Sequence, residues 1–238
     1  MQRHFIYNDI QDWFDQRYER GEEVLAEKKQ YGVDLVHQLR PPTGGAVRCL
    51  DIGCGTGRIT QQFVDLGYET TGADISPVAI ERLRSRGIAG FVHNVADPLP
   101  LDDESQDIVW NGDMLELVPD MFRFMAEMHR VLRPGGLLVF TTPHMGFWYY
   151  RLAALVGKCS SDMTPPSHVR FWTKHGINYF FENEFFELDM LAGVAPLPSW
   201  RGKRYVRRRR LSLLCRDIVG VAHKRRTTAR AANQRNAA

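Results

Sequence analysis

The spacing of apolar residues predicts two kinds of element in alternation. Residues 5–38 carry Tyr7, Trp13, Phe14 and Tyr18, then Val24, Leu25, Val33, Leu35 and Val36, and read as helical, with Gly21 and Gly32 breaking the run into pieces. Pro41-Pro42-Thr43-Gly44-Gly45 reads as a linker. A short apolar run at 47–50 ends in Asp51 and predicts a first strand; a helix over about 58–66 follows, stopped by Gly67. Residues 68–74 read as a second strand ending in Asp74. Ser76 is a suitable N-cap for the next helix, with Pro77 at its first position. Further strands are expected at 89–95, at 107–110 with Asn111 at the end, and at 137–141. The helix expected over 119–132 shows Met121, Phe124, Met125, Met128 and Leu132 on one face. Strands alternating with helices at this spacing predict an α/β fold, a doubly wound and mostly parallel sheet covered on both faces.

After Pro143 the alternation stops. Residues 147–156, Phe-Trp-Tyr-Tyr-Arg-Leu-Ala-Ala-Leu-Val, read as an aromatic and apolar helix, with three roles open: a lid, an interfacial helix or a core-packing helix. A polar loop with Pro165-Pro166 follows, then a helix over 171–186, a strand at about 185–191, and Pro196 and Pro198 closing the body. Residues 204–226 alternate Arg with Leu and Val at roughly helical spacing. The organisation expected is an N-terminal helical cap at 1–42, a ligand-binding domain at 43–200 and a basic C-terminal tail at 201–238.

The densest chemistry lies in Leu50-Asp51-Ile52-Gly53-Cys54-Gly55-Thr56-Gly57. Glycines in a strand-to-helix turn adopt backbone angles closed to other residues and let a ligand approach the main chain. The helix that follows presents unpaired N–H groups. A dinucleotide cradle needs G-x-G-x-x-G, but Arg58 stands at the third position and the glycines run G-x-G-x-G. That pattern suits a ligand with a nucleoside end and an amino-acid end. Asp51 is placed to face a cationic ammonium. Asp74, at the end of the second strand, is placed to accept both ribose hydroxyls.

Charge changes the picture only at the C-terminal end. The chain of 238 residues has a net charge of +3, but residues 201–238 hold 13 Lys and Arg against the single acid Asp217. The first 200 residues hold 18 bases and 27 acids. A basic segment of this kind attracts anionic lipid, nucleic acid or an acidic partner. The four cysteines are scattered, with neither a C-x-x-C pair nor zinc-ligand spacing, and read as reduced thiols in a cytosolic protein, so no metal is expected. The first residues have no apolar signal core, and no run approaches the ~18 apolar residues of a membrane span.

Five segments in order resemble the class I S-adenosylmethionine-dependent methyltransferases, especially the broad group with ubiquinone-type and methionine-biosynthesis-type members. They are the glycine turn, Gly72-Ala73-Asp74-Ile75-Ser76, Pro98-Leu99-Pro100, Asp113-Met114-Leu115-Glu116 and Arg130-Val131-Leu132-Arg133-Pro134-Gly135-Gly136. The resemblance implies a Rossmann-like sheet of seven strands, mostly parallel, and S-adenosylmethionine as cofactor. It implies that Gly53, Cys54 and Gly55 run along the methionine and ribose. Asp74 would hold the ribose hydroxyls, with Ile75 on the adenine face. Asn94 or the competing Asp97 would take the adenine amino group, beside Val95, and Asn111 would lie near the methionine end.

The chain departs from the family at Leu115-Glu116-Leu117, where relatives often carry Leu-Glu-His, and at Pro143-His144, where they often carry Pro-Asn. The catalytic base is therefore left to His144 and His168, the latter in His168-Val169-Arg170-Phe171-Trp172-Thr173, which resembles an element of relatives that modify glycolipids, polysaccharide precursors or quinones. The function expected is O-methylation of a small-molecule, glycolipid, saccharide-precursor or quinone-like acceptor, in the cytoplasm or peripherally at an anionic membrane through 201–238. Two alternatives stay open: an RNA methyltransferase using the basic tail, though no Asn-Pro-Pro-Tyr-type element is present, and a non-catalytic cofactor-binding scaffold.

Overall fold

The computed structural model describes residues 7–22, 26–40, 44–165, 167–182, 186–197, 204–208 and 213–225. Two helices come first, α1 (Tyr7–Glu19) and α2 (Glu27–Leu39). Gly21, with φ of +68°, ends the first as expected. Gly32 does not break the second. It lies inside α2 because the Trp110 ring packs where a side chain would stand.

Strands and helices then alternate: β1 (Arg48–Ile52), α3 (Arg58–Asp65), β2 (Glu69–Asp74), α4 (Pro77–Ser85), β3 (Ala89–Val92), β4 (Gln106–Gly112), α5 (Met121–Val131) and β5 (Leu132–Pro143). Ser76 caps α4 by accepting the Ala79 N–H at 3.0 Å, with Pro77 next to it. The remaining elements are α6 (Trp148–Leu155), α7 (Lys174–Glu182), β6 (Phe186–Leu197), β7 (Arg204–Arg208) and β8 (Asp217–Lys224). Helix α7 is shorter and β6 longer than the sequence pattern suggests, so Pro196 lies within the strand. Pro198 lies outside the described residues.

All eight strands form one sheet in the order β3-β2-β1-β4-β5-β8-β6-β7. The first five pair in parallel; β8 runs antiparallel to β5 and to β6, and β7 antiparallel to β6. The fold is the Rossmann-like, mostly parallel sheet expected, with eight strands among the described residues against the seven that the resemblance implies.

The extra strand corrects the boundary at residue 200. Residues 204–208 and 217–224 are not a tail and are not helical; they are strands, and β8 lies between β5 and β6. The physical reason is the run from Ile218 to Ala222. Ile218 and Ala222 face one core, with Met121, Phe124 and Phe181. Val219 and Val221 face the other, with Val36, Phe63 and Trp110. A strand covered on both faces reads as a continuous apolar run. The arginines around it masked that run.

Candidate active site

The carboxyl ends of the parallel strands, with α1 and α2 folded across them, enclose a cleft of about 300 Å³. Among the predicted residues, Gly53, Gly55, Asp74, Ile75, Asn94, Val95 and His168 line it. The glycine turn is built as the sequence implies. Gly53, Gly55 and Gly57 have φ of +74°, +54° and +85°, and a Cβ on Gly53 would collide with the Met114 side chain.

Asp74 organises the turn from the next strand. Its carboxylate accepts the Gly55 N–H at 2.9 Å and the Ser76 N–H at 3.0 Å, and the Tyr18 hydroxyl stands 3.5 Å away. The carboxylate is buried, and each oxygen can accept more than one hydrogen bond. Asn94 accepts the Ala96 N–H at 3.0 Å, so it caps its own turn while lining the cleft.

Four predicted positions lie elsewhere. Asp51 does not face the cleft; its carboxylate accepts the Thr60 hydroxyl at 2.6 Å and ties β1 to α3. Strand alternation explains this, because Leu50 and Ile52 occupy the opposite face. The Cys54 thiol is buried with Ile80, Leu83 and Ile88 and fills space. Asn111 is fully buried behind the cleft wall, and neither its amide nitrogen nor its oxygen has a hydrogen-bond partner among the described residues. His144 leaves the cleft altogether. Its Nδ1 pairs with the Cys215 carbonyl at 2.9 Å, and its ring lines a separate cavity beside α6. Asp97, the rival to Asn94, is exposed and does not line the cleft.

The structure adds a charged floor that the sequence does not reveal. Lys28 of α2 is buried and lies 2.8 Å from Asp113 and 3.2 Å from Asp217, with Lys29 3.7 Å from Asp113. Asp113 has φ of +65°, accepts the Thr141 hydroxyl at 3.0 Å and lines the cleft with Lys28, Lys29 and Glu116. Burial pushes Asp113 up, but the two lysines outweigh it and hold the carboxyl at about 2. Glu116 moves the other way. Burial first, and Asp113 second, push it up to about 8, although the Thr142 hydroxyl donates to it at 2.8 Å. Two carboxyls in one cleft are thus driven apart, one ionised and one protonated at neutral pH. Asp113 and Glu116 stand in a recognisable segment; nothing in the spacing of Lys28 singles it out.

Glu116 gives a testable pH dependence. The unfolded chain releases this proton near 4.5 and the folded chain near 8, so the folded chain binds more protons between those values. Stability therefore falls as pH rises through that window. Glu116→Gln, which keeps an acceptor for Thr142, is expected to melt progressively above the wild type as pH is raised from 5 to 8.5. Melting curves that stay parallel across that range would remove the proton from Glu116.

Residues 50–140 match a family described as a methyltransferase domain. The chain is 31% identical over 163 residues to a ubiquinone biosynthesis O-methyltransferase of Ruegeria pomeroyi, covering 66% of this chain and 63% of that protein. It is 34% identical over 104 residues to a malonyl-[acyl-carrier protein] O-methyltransferase of Enterobacter lignolyticus, covering 43% and 41%. The fold matches that of an S-adenosylmethionine-dependent methyltransferase, possible histamine N-methyltransferase, from Thermotoga maritima, with a TM-score of 0.63 at 20% identity over 93% of this chain and 96% of that one.

Residues 50–140 form a methyltransferase domain of the class I, S-adenosylmethionine-dependent type.

The chain spans a little under two thirds of the ubiquinone-type relatives' length. The family's cofactor is S-adenosylmethionine, and the cleft fits it on three observations. Gly53 lines the cleft with φ of +74° and the Met114 side chain packed where a Cβ would stand, so the turn can present its main chain to a ligand. Asp74 offers a buried carboxylate at the end of β2. Ile75 and Val95 are apolar lining residues of the same cleft as Asn94, chemistry that suits a purine ring.

Proposed function

We propose that this protein transfers a methyl group from S-adenosylmethionine to a hydroxyl oxygen of a small-molecule or lipid-linked acceptor. One observation carries the reading: the nucleoside-holding residues Asp74, Ile75 and Asn94 and the imidazole of His168 line the same cleft. The His168 Nδ1 is buried with no hydrogen-bond partner among the described residues. Burial lowers its pKa from 6.5, so the ring is neutral and able to take a proton at pH 7. The ubiquinone-type and malonyl-[acyl-carrier protein] relatives named above are O-methyltransferases, which supports oxygen as the acceptor here.

The bound cofactor supplies an electrophilic methyl group on a sulfonium centre. The chain's own residues do the rest. Asp74 holds the ribose end, and Ile75 and Val95 hold the base. His168 takes the proton of the acceptor hydroxyl as the oxygen attacks. Phe14, Arg17 and Tyr18 of α1 line the cleft opposite the strand ends. Lys28 and Asp113 hold fixed charges in its floor.

The test is transfer of labelled methyl from S-adenosylmethionine into fractions of a cell extract. Label is expected in the small-molecule or lipid fraction. With His168→Gln, kcat is expected to fall on the order of 10²–10⁴-fold, the usual worth of a general base, while cofactor affinity changes little. The wild-type rate should rise with pH below 6.5 and level off near neutrality, because the base works once deprotonated. Label confined to RNA or protein, or a His168→Gln enzyme with unchanged kcat, would overturn the assignment.

A further inference from the structure

Helix α6 buries none of its residues. Trp148, Tyr149, Leu152 and Leu155 are 48%, 51%, 55% and 81% exposed, and Val156 beyond them is 75% exposed. A core-packing role is therefore excluded for α6 itself; of the segment 147–156 only Phe147, before the helix, is buried. Leu213 and Leu214, each about half exposed, extend the apolar surface, and the Trp148 N–H donates to the Leu213 carbonyl at 3.0 Å.

At the foot of this helix lies a second cavity, about 480 Å³, lined by His144, Arg151, Thr173, Lys174, His175 and Asn178 with Leu213 at its edge. No carboxylate is among its lining residues in the described structure. Residues 144–161 contain Arg151 and Lys158 and no acid before Asp162, and the described residues 213–216 that meet them add Arg216. Arg207 is engaged with Glu27 and Asp34, and Arg216 with Asp217, and Arg209 and Arg210 lie outside the described residues. Arg151 and Lys174 line the cavity and Lys158 follows α6, with Asp162 the acid near Lys158.

We propose that α6 with Leu213 and Leu214 is a docking surface for an anionic phospholipid bilayer, with the cationic cavity beside it seating a headgroup phosphate. An eight-residue helix is only about 12 Å long and cannot span a membrane, so it lies in the interfacial plane with its apolar side chains down. Trp and Tyr rings favour the headgroup level, and Lys and Arg are drawn to the anionic surface around them. An acidic protein would answer the charge but leaves the exposed aromatic and aliphatic cluster without a reason. Strand β5 ends at Pro143, which lines the cleft, and α6 starts five residues later, so docking sets the cleft beside the lipid surface. The inference rests on these residues alone and stands whether or not His168 is the base.

The experiment is co-flotation of the full chain with vesicles of phosphatidylcholine, with and without phosphatidylglycerol. Binding is expected to be at least about 10-fold stronger with the anionic lipid and to weaken as salt is raised. Leu152→Glu with Leu155→Glu is expected to abolish it, and Lys158→Glu with Lys174→Glu to reduce it to the level of neutral vesicles. All four side chains are exposed, so thermal midpoints should stay near wild type, and the lysine pair decides the matter if the leucine pair fails to fold. Equal binding to neutral vesicles would overturn the proposal. So would wild-type binding by both double variants, or no vesicle binding together with capture of a purified acidic acyl carrier protein.

Discussion

Asp74→Ala is expected to weaken S-adenosylmethionine binding on the order of 100-fold, and Asn94→Ala by less than about 10-fold. Hydrogen bonds to a charged group are worth about 1.5–3 kcal/mol each and neutral ones about 1. A factor of 100 corresponds to about 2.7 kcal/mol. Asp74 also shapes the binding surface, because its carboxylate holds the Gly55 and Ser76 amides. Removing it leaves two N–H groups to be satisfied by water in a buried turn. Asn94 is a lesser loss, since one of its bonds serves only the local turn to Ala96. Calorimetric titration of both variants, with circular dichroism to verify folding, measures the difference. Equal affinities would refute the ribose assignment.

Lys28→Met is expected to cost about 3–5 kcal/mol of stability, the usual consequence of leaving buried charges without their partner. For a chain of this size that lowers the melting temperature on the order of 10 °C. Lys28 touches Asp113, after β4, and Asp217, at the start of β8, so one ammonium joins the N-terminal helices to the cleft floor and to the central antiparallel strand. The neighbouring Lys29 serves as the control. Its ion pair is 3.7 Å long and more exposed, and Lys29→Met should cost no more than about 1 kcal/mol. The loss should also depend on pH in a defined direction. The depressed pKa of Asp113 adds stability above its usual 3.8 that is lost as pH falls through about 2. Lys28→Met lacks that contribution, so the two melting curves should converge in strong acid. Similar losses in both lysine variants would show that the cluster does not hold the fold together.

The glycine turn, Asp74 and the alternation through β5 were legible because they are local. A strand, a turn and a helix N-terminus lie within a dozen residues, and their geometry follows from glycine φ and capping chemistry. What was illegible is long-range or depends on which way a strand presents its side chains. Asp51 was placed in the cleft by its position beside the turn, but strand alternation turns it toward Thr60. His144 follows β5, where its position in the sequence suggests a base, yet the chain turns its ring to the Cys215 carbonyl. Lys28 and Tyr18 reach the cleft from helices that no motif links to it. Strand β8 is hidden by composition, since arginines on either side outweigh six consecutive buried residues.

The most direct test is calorimetric titration of the wild-type chain with S-adenosylmethionine, alongside NAD as the competing nucleotide. A single S-adenosylmethionine site, abolished or strongly weakened by Asp74→Ala and accompanied by a rise in melting temperature, is the result predicted from the cleft. Absence of heat and of any thermal shift at millimolar S-adenosylmethionine, or binding of NAD in its place, would contradict it.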